Sequence, residues 1–190
     1  TRRQIETFEK ASEELQAAFP HKILRHICNT AGIERYPGAQ FDMVRLGLGL
    51  YGGNPFTNKM LHNVSTLKTT ILQIREVPQE DSVGYSRKGR LERNSRIAAI
   101  PIGYADGFSR CFGNGNAKLW INGTLCPTVG NICMDACMVD VTDVDCKVGD
   151  SVEIFGQHIP VETLAETRGT IPYEILTSIS NRVKRVYYRE

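Results

Sequence analysis

"AKLWINGTLCPTVG", residues 117–130, decides how most of this chain is read. Asn122-Gly123 stands between two apolar runs. That pair adopts the left-handed backbone that a two-residue turn demands, so the stretch predicts a β-hairpin. The neighbourhood repeats the message on both sides. "VSTLKTTILQIREV" (64–77) alternates apolar and polar residues for much of its length, and "RIAAIPIGYADG" (96–107) is an apolar strand running into a turn. "CMVDV" (137–141) and "DSVEIFG" (150–156) are further short strands, with Gly149-Asp150 and Gly156-Gln157 as turns. Beyond them, Pro160 opens a helix over "VETLAETR" that Gly169 closes, and Pro172 opens another through "YEILTSIS". "RVKRVYY" (182–188) is expected to return as a strand.

The first 55 residues follow another rhythm. Ile5, Phe8, Leu15 and Phe19 recur at helical spacing over residues 1–19, Thr1 with Gln4 suits a capping box, and Pro20 stops the helix. "KILRHICNT" (22–30) and "DMVRLGLGLYGG" (42–53) read as two buried strands, joined through a loop with about one helical turn. Helix, buried strand, linker, buried strand is the pattern of parallel α/β architecture. Two such strands cannot bury both faces, so this part reads as the end of something larger, with exposed apolar surface. The fold class is therefore a mainly β C-terminal domain (56–190) preceded by a partial α/β fragment (1–55), the change falling at "NPFTNKM" (54–60).

Composition narrows the functional classes. With 41% hydrophobic and 23% charged residues, the chain reads as soluble and globular. A net charge of +2 is too small to argue for nucleic acid or a membrane surface, and no apolar run approaches the length of a membrane span. The six cysteines form no CxxC pair, and His21 and His26 lie far from most of them in sequence. A zinc site and a disulfide framework are both weaker readings than reduced, mostly buried thiols in a cytoplasmic protein.

Four groups of residues could carry chemistry. In "DSVGYSRKG" (81–89), Tyr85 stands among small residues with Arg87, Lys88 and Arg90 nearby. Cations favour a phenolate, which a tyrosine base requires, although a packing tyrosine fits the same letters. In "VRLGLGLYGG", Arg45 interrupts an apolar strand and needs a partner if buried, either an acid or a ligand acceptor. Gly47 and Gly49 remove side chains where a ligand, or only a packed helix, approaches the backbone. In "GTIPYEIL" (169–176), Tyr173 falls near a helix start, where free amides favour an anion; helix packing is the alternative. In "GYADGF" and "GNICMDACM", Tyr104 precedes Asp106 and Met134 precedes Asp135 in turn-like settings.

Taken in order, "HICNTAG", "DMVRLGLGLYG", "VGYSRKG", "IPIGYADGFSR", "GNICMDACMVDV" and "IPYEILTSISNRVKRVY" resemble the C-terminal portion of bacterial alanine racemases, over nearly the whole chain. The resemblance implies a homodimeric pyridoxal-phosphate enzyme with an N-terminal TIM barrel and a C-terminal, barrel-like β domain. It would interconvert L- and D-alanine and supply D-alanine for peptidoglycan. It implies that Tyr85 is the catalytic tyrosine, serving the partner subunit's site on one face of the substrate. Arg45 would donate to the cofactor's pyridine nitrogen, with His26 supporting it from behind. Thr30, the Gly47 and Leu48 amides and Tyr173 would bind its phosphate; the family usually has serine where this chain has Thr30. Tyr104 and Met134 would line the substrate site from the opposite subunit. The family's cofactor lysine has no match, because neither Lys22 nor Lys59 stands in its motif. This chain alone is therefore expected to be inactive without the N-terminal barrel domain. Alternatives are a racemase for serine or another small amino acid, part of a fused polypeptide, or a non-catalytic dimerisation module.

Overall fold

The computed structural model describes residues 1–53 and 61–188; "NPFTNKM", Lys59 included, lies outside the described residues. The chain divides into two compact units, Thr1–Val64 and Ser65–Glu190.

In the first unit, α1 (Arg2–Ala18) is the expected helix. Its cap differs from expectation: Thr1 is the N-cap residue, but its side chain makes no capping bond. The helix end is held instead by Gln16, whose Oε1 accepts from Ile23 N (2.8 Å) and whose Nε2 donates to His21 O (2.9 Å). A short α2 (Thr30–Arg35) follows, capped by Asn29 Oδ1 accepting from Gly32 N at 3.0 Å. The two expected buried strands are a correction. Residues 22–29 and 43–47 form no strand and meet only in one parallel bridge, Asn29 with Arg45, while Thr30 already begins α2 and Leu48–Tyr51 winds into a 3-10 turn. Leu24, Met43, Leu46, Leu50 and Tyr51 stand exposed. Two neighbouring strands cannot satisfy two edges or cover two faces, so the ladder does not grow.

The second unit is built on strand alternation. Its strands are β1 (Leu67–Thr70), β2 (Gln73–Val77), β3 (Ser82–Val83), β4 (Gly89–Arg90), β5 (Ser95–Ile100), β6 (Lys118–Ile121), β7 (Thr124–Val129), β8 (Cys137–Asp140) and β9 (Ser151–Phe155). Seven of them form one antiparallel sheet in the order β1-β9-β6-β7-β8-β5-β2; β3 and β4 pair separately. The two edge strands are consecutive in the chain. At the corner, Ile71 N donates to Asp150 O (3.0 Å) and Leu72 N to Ala99 O (2.9 Å), so one peptide step passes from one end of the sheet to the other. The sheet curls into a half-barrel around Ile100, Leu119, Ile121, Val139, Val152 and Ile154, all fully buried. The hairpin β6–β7 turns at Asn122 (φ 42°) and Gly123 (φ 90°), both left-handed as the dipeptide predicted.

Helices α3 (Val161–Arg168) and α4 (Pro172–Ser178) follow, with Gly169 (φ 72°) closing α3. Residues 182–188, expected as a strand, form none: Arg185 turns its guanidinium back onto the carbonyls of Ile179, Ser180 and Val183. Cys28, Cys126, Cys137 and Cys146 are buried. Burial pushes the Cys126 thiol up to about 11 and the Cys137 thiol up to about 12, so both stay protonated and act as small apolar residues. Glu153 is buried with its charge accounted for: Oε1 accepts from His158 N and Ile159 N, and Oε2 meets His158 Nδ1 at 3.1 Å. Among the described residues no helix is long and apolar enough to cross a membrane.

Leu119 has no solvent exposure and Leu125, on the same hairpin, is 46% exposed. Leu119→Ala is expected to lower stability by about 2–5 kcal/mol in urea unfolding, and Leu125→Ala by less than about 0.5 kcal/mol.

Candidate functional site

In the first unit, the polar residues converge at the start of α2. Asn29 caps the helix and so sets Thr30 as its first residue. Thr30 Oγ1 accepts from the Gly47 amide at 3.0 Å and the Gly49 amide at 3.4 Å. A hydroxyl that accepts two amides keeps its own hydrogen for a third group. A Cβ on Gly49 would lie 2.7 Å from Cδ1 of the exposed Leu46 side chain and 3.3 Å from Thr30 Cγ2, so this turn packs close against Thr30. Buried Leu48 anchors the turn between them. The Gly49 bond to Thr30 was not expected from the sequence, where the repeated glycine in "LGLGL" was the available signal.

Arg45 is placed differently from expectation. Its side chain is exposed rather than buried, so it needs no acid to offset desolvation. Its backbone N donates to Cys28 O (2.8 Å) and its Nη2 to Ile27 O (3.3 Å). His26 is half-buried, and its Nδ1 is a buried polar atom with no hydrogen-bond partner among the described residues.

In the second unit, one loop organises three candidates. Residues 130–135 leave the end of β7 and touch two turns. The first carries Tyr85, at the tip of the β3–β4 hairpin, with 73% of its surface exposed. Tyr85 is not packing against the β core. Gly84 (φ 76°), Ser86 (φ 58°) and Arg87 (φ 51°) are all left-handed. Such a backbone costs a non-glycine residue roughly 1–2 kcal/mol, so the surroundings must hold it. They do: Gly130 (φ 67°) approaches so closely that a Cβ there would lie 2.7 Å from Val83 O, and Asn131 Nδ2 donates to Tyr85 O at 3.3 Å. Asn131 Oδ1 in turn accepts from Asn114 Nδ2 at 3.3 Å.

The second turn carries Tyr104, half-exposed, beside exposed Met134. Tyr104 N donates to Cys133 O and Ala105 N to Met134 O, both at 3.0 Å. Gly103 makes this possible, since a Cβ there would lie 2.2 Å from Met134 O. Tyr173 stands at the second position of α4, partly exposed.

Asp106 and Asp135 are more than turn residues. Arg182 donates through Nε to Asp106 Oδ1 (2.7 Å) and through Nη2 to Asp135 Oδ1 (2.5 Å). Asp106 Oδ2 accepts from Gly103 N at 2.9 Å. Burial alone would raise the Asp106 carboxyl, but Arg182 and the Gly103 amide outweigh it and hold it below the ordinary carboxylate value of 3.8. Arg182 and Asn131 were missed in sequence because their partners lie far along the chain, 76 residues away for Asp106 and 46 for Tyr85.

The family profile "Alanine racemase, C-terminal domain" matches residues 64–187, and "Alanine racemase, N-terminal domain" matches residues 1–55. The chain belongs to the alanine racemase family. An alanine racemase of Clostridium novyi (strain NT) is 42% identical over 197 residues, covering 98% of this chain and 51% of that protein. The solved alanine racemase of Clostridium difficile 630 in complex with cycloserine superposes with a TM-score of 0.88 at 37% identity, covering 96% of this chain and 50% of that one. That of Bartonella henselae, with covalently bound pyridoxal phosphate, gives 0.86 at 37% identity, covering 98% and 52%. The chain thus spans about half the length of the alanine racemases it matches, and its curled β unit is their C-terminal domain fold.

Because the folded-state Asp106 carboxyl is depressed, its contribution to stability is complete above pH 3.8 and is lost as pH falls below that value, where the unfolded chain takes up the proton first. Asp106→Asn is expected to flatten the acid limb of a stability–pH curve below about pH 4. The check is urea unfolding of both proteins between pH 3 and pH 6.

Proposed function

We propose that this chain is the C-terminal part of a pyridoxal-phosphate-dependent alanine racemase: residues 1–55 form the last βα elements of its barrel and residues 56–190 its β domain. The single observation that supports this most is Tyr85, the residue the resemblance assigns as catalytic, held out on a strained, braced turn.

The first unit's residues fit the cofactor. Thr30 Oγ1, accepting from the Gly47 and Gly49 amides, keeps its own hydrogen to donate to a phosphate, at the turn where the family resemblance also assigns Gly47 and Leu48 to that group. Tyr173 is assigned to the phosphate by the family resemblance alone. The exposed Arg45 guanidinium supplies a donor to a ring nitrogen, and His26 Nδ1, without a hydrogen-bond partner among the described residues, lies in the segment that precedes Thr30. Pyridoxal phosphate, when bound, supplies an electron sink that makes the substrate's α-hydrogen acidic. An arginine beside the ring nitrogen, being always charged, keeps that nitrogen unprotonated and tempers the sink, which limits side reactions.

Racemisation needs a base on each face of the α-carbon, because one base returns the hydrogen to the side it left. Tyr85 Oη takes or returns the hydrogen on one face, in the partner subunit's site; the opposite base is the family's lysine, which no motif of this chain matches. Tyr104 and Met134 bound the space for the substrate's carboxylate and small side chain. The substrate is alanine, the enzyme is a cytoplasmic homodimer, and its D-alanine serves peptidoglycan.

Tyr85→Phe in the complete polypeptide is expected to lower kcat/KM by about 10²–10⁴-fold in both directions equally, since the enantiomers have equal free energies. In deuterated buffer, α-hydrogen exchange should survive for one enantiomer and vanish for the other. Retained exchange of both would remove Tyr85 from the role. Thr30→Val is expected to weaken cofactor binding by about tenfold, the loss of one hydrogen bond to a charged group. Absorbance titration with pyridoxal phosphate measures it.

A further inference from the structure

Arg182 makes contacts that the proton transfer does not use. It lies in the irregular segment after α4, with its side chain 46% exposed, and it ends on two carboxylates from different loops. Asp106 belongs to the turn that begins with Tyr104; Asp135 follows Met134 directly. The same segment adds backbone contacts: Ser180 N donates to Asp106 O (3.1 Å), and a Cβ on Gly107 would lie 2.4 Å from Ser178 O. Arg185 bonds the Ile179, Ser180 and Val183 carbonyls and so stiffens the stretch from which Arg182 projects.

We propose that Arg182 is a positioning residue for substrate binding: it clamps the Tyr104 and Met134 turns together and ties them to the exit of α4, the helix that carries Tyr173. This rests on the racemase reading for its substrate, though the clamp itself is a matter of geometry. Two features argue against mere surface decoration. Exposed ion pairs add little to global stability, so a three-member network here acts on local geometry. And the guanidinium uses two fixed donors, Nε and Nη2, for two different acids, which a lysine's single ammonium cannot match in direction. The Tyr85 hairpin is braced separately, through Gly130 and Asn131, so the clamp governs substrate affinity more than proton transfer.

The test uses Arg182→Gln and Arg182→Lys, with Asp106→Asn and Asp135→Asn as single-arm controls, in the complete polypeptide loaded with pyridoxal phosphate. Amide hydrogen exchange is read first, because it needs no activity. Arg182→Gln should speed exchange at least tenfold in both 103–108 and 133–136, with residues 83–89 and the β-sheet core unchanged. Asp106→Asn should loosen mainly the first stretch and Asp135→Asn mainly the second, and Arg182→Lys should restore only part of the protection. Kinetics follow. Arg182→Gln should raise KM for alanine, and the Kd of propionate as a carboxylate probe, by about tenfold while kcat changes less than threefold. Unchanged exchange in the two turns would overturn the clamp. So would exchange raised throughout the β unit, which marks a general structural role. A fall in kcat at constant KM and constant propionate Kd would overturn the assignment to substrate binding. If the unsubstituted enzyme fails to racemise alanine, the racemase reading falls, and the exchange data still decide the clamp.

Discussion

No side chain fits between the 130–135 loop and the two turns it holds. At Gly130 a Cβ would meet Val83 O, and at Gly103 it would meet Met134 O, each far inside contact distance. Backbone against backbone is the closest packing a protein offers, and it leaves few ways to slide. That constraint lets a strained, exposed turn keep Tyr85 in one place without burying it. It also sets Tyr104 beside Met134 through paired amide–carbonyl bonds. Side chains then lock the arrangement: Asn131 on the Tyr85 carbonyl, Arg182 across Asp106 and Asp135.

The two units are held in contrasting ways. In the β unit, a sheet whose edge strands are consecutive in the chain curls around aliphatic side chains and buries thiols that burial keeps protonated. Its loops can therefore tolerate strain, because the half-barrel beneath them does not yield. Among its described residues the first unit has no comparable core. Its two expected strand segments share one bridge and leave leucines in solvent, while its polar residues converge at Thr30. The Thr30 cluster needs only a capped helical turn and the amides of a neighbouring turn; the apolar faces need neighbours that two short segments cannot supply.

Much of the architecture could be read from the residues alone. Asn122-Gly123 turned as its letters required, Pro160, Gly169 and Pro172 bounded the two later helices, and alternation located the main strands. Where reading failed, a long-range term had won. The segments at 22–30 and 42–53 have strand composition, but composition cannot supply a sheet. Thr1 and Gln4 have capping-box spacing, yet Gln16, twelve residues on, secures the other end of the helix. "RVKRVYY" alternates like a strand, but arginines turned back onto local carbonyls and distant acids fold it otherwise.

The sequence by itself determined the family, the hairpin order and the identity of the chemical groups, because motifs and turn residues act over a few positions. It could mark Tyr85, Thr30 and Arg45 as chemistry-bearing, but not say that Tyr85 stands exposed on a left-handed turn or that Arg45 is exposed rather than buried. Only the tertiary structure decided those points, and only it brought Arg182 to Asp106 across 76 residues of chain. The physical reason is that burial, strain and charge pairing depend on distances in space, which sequence neighbours do not set.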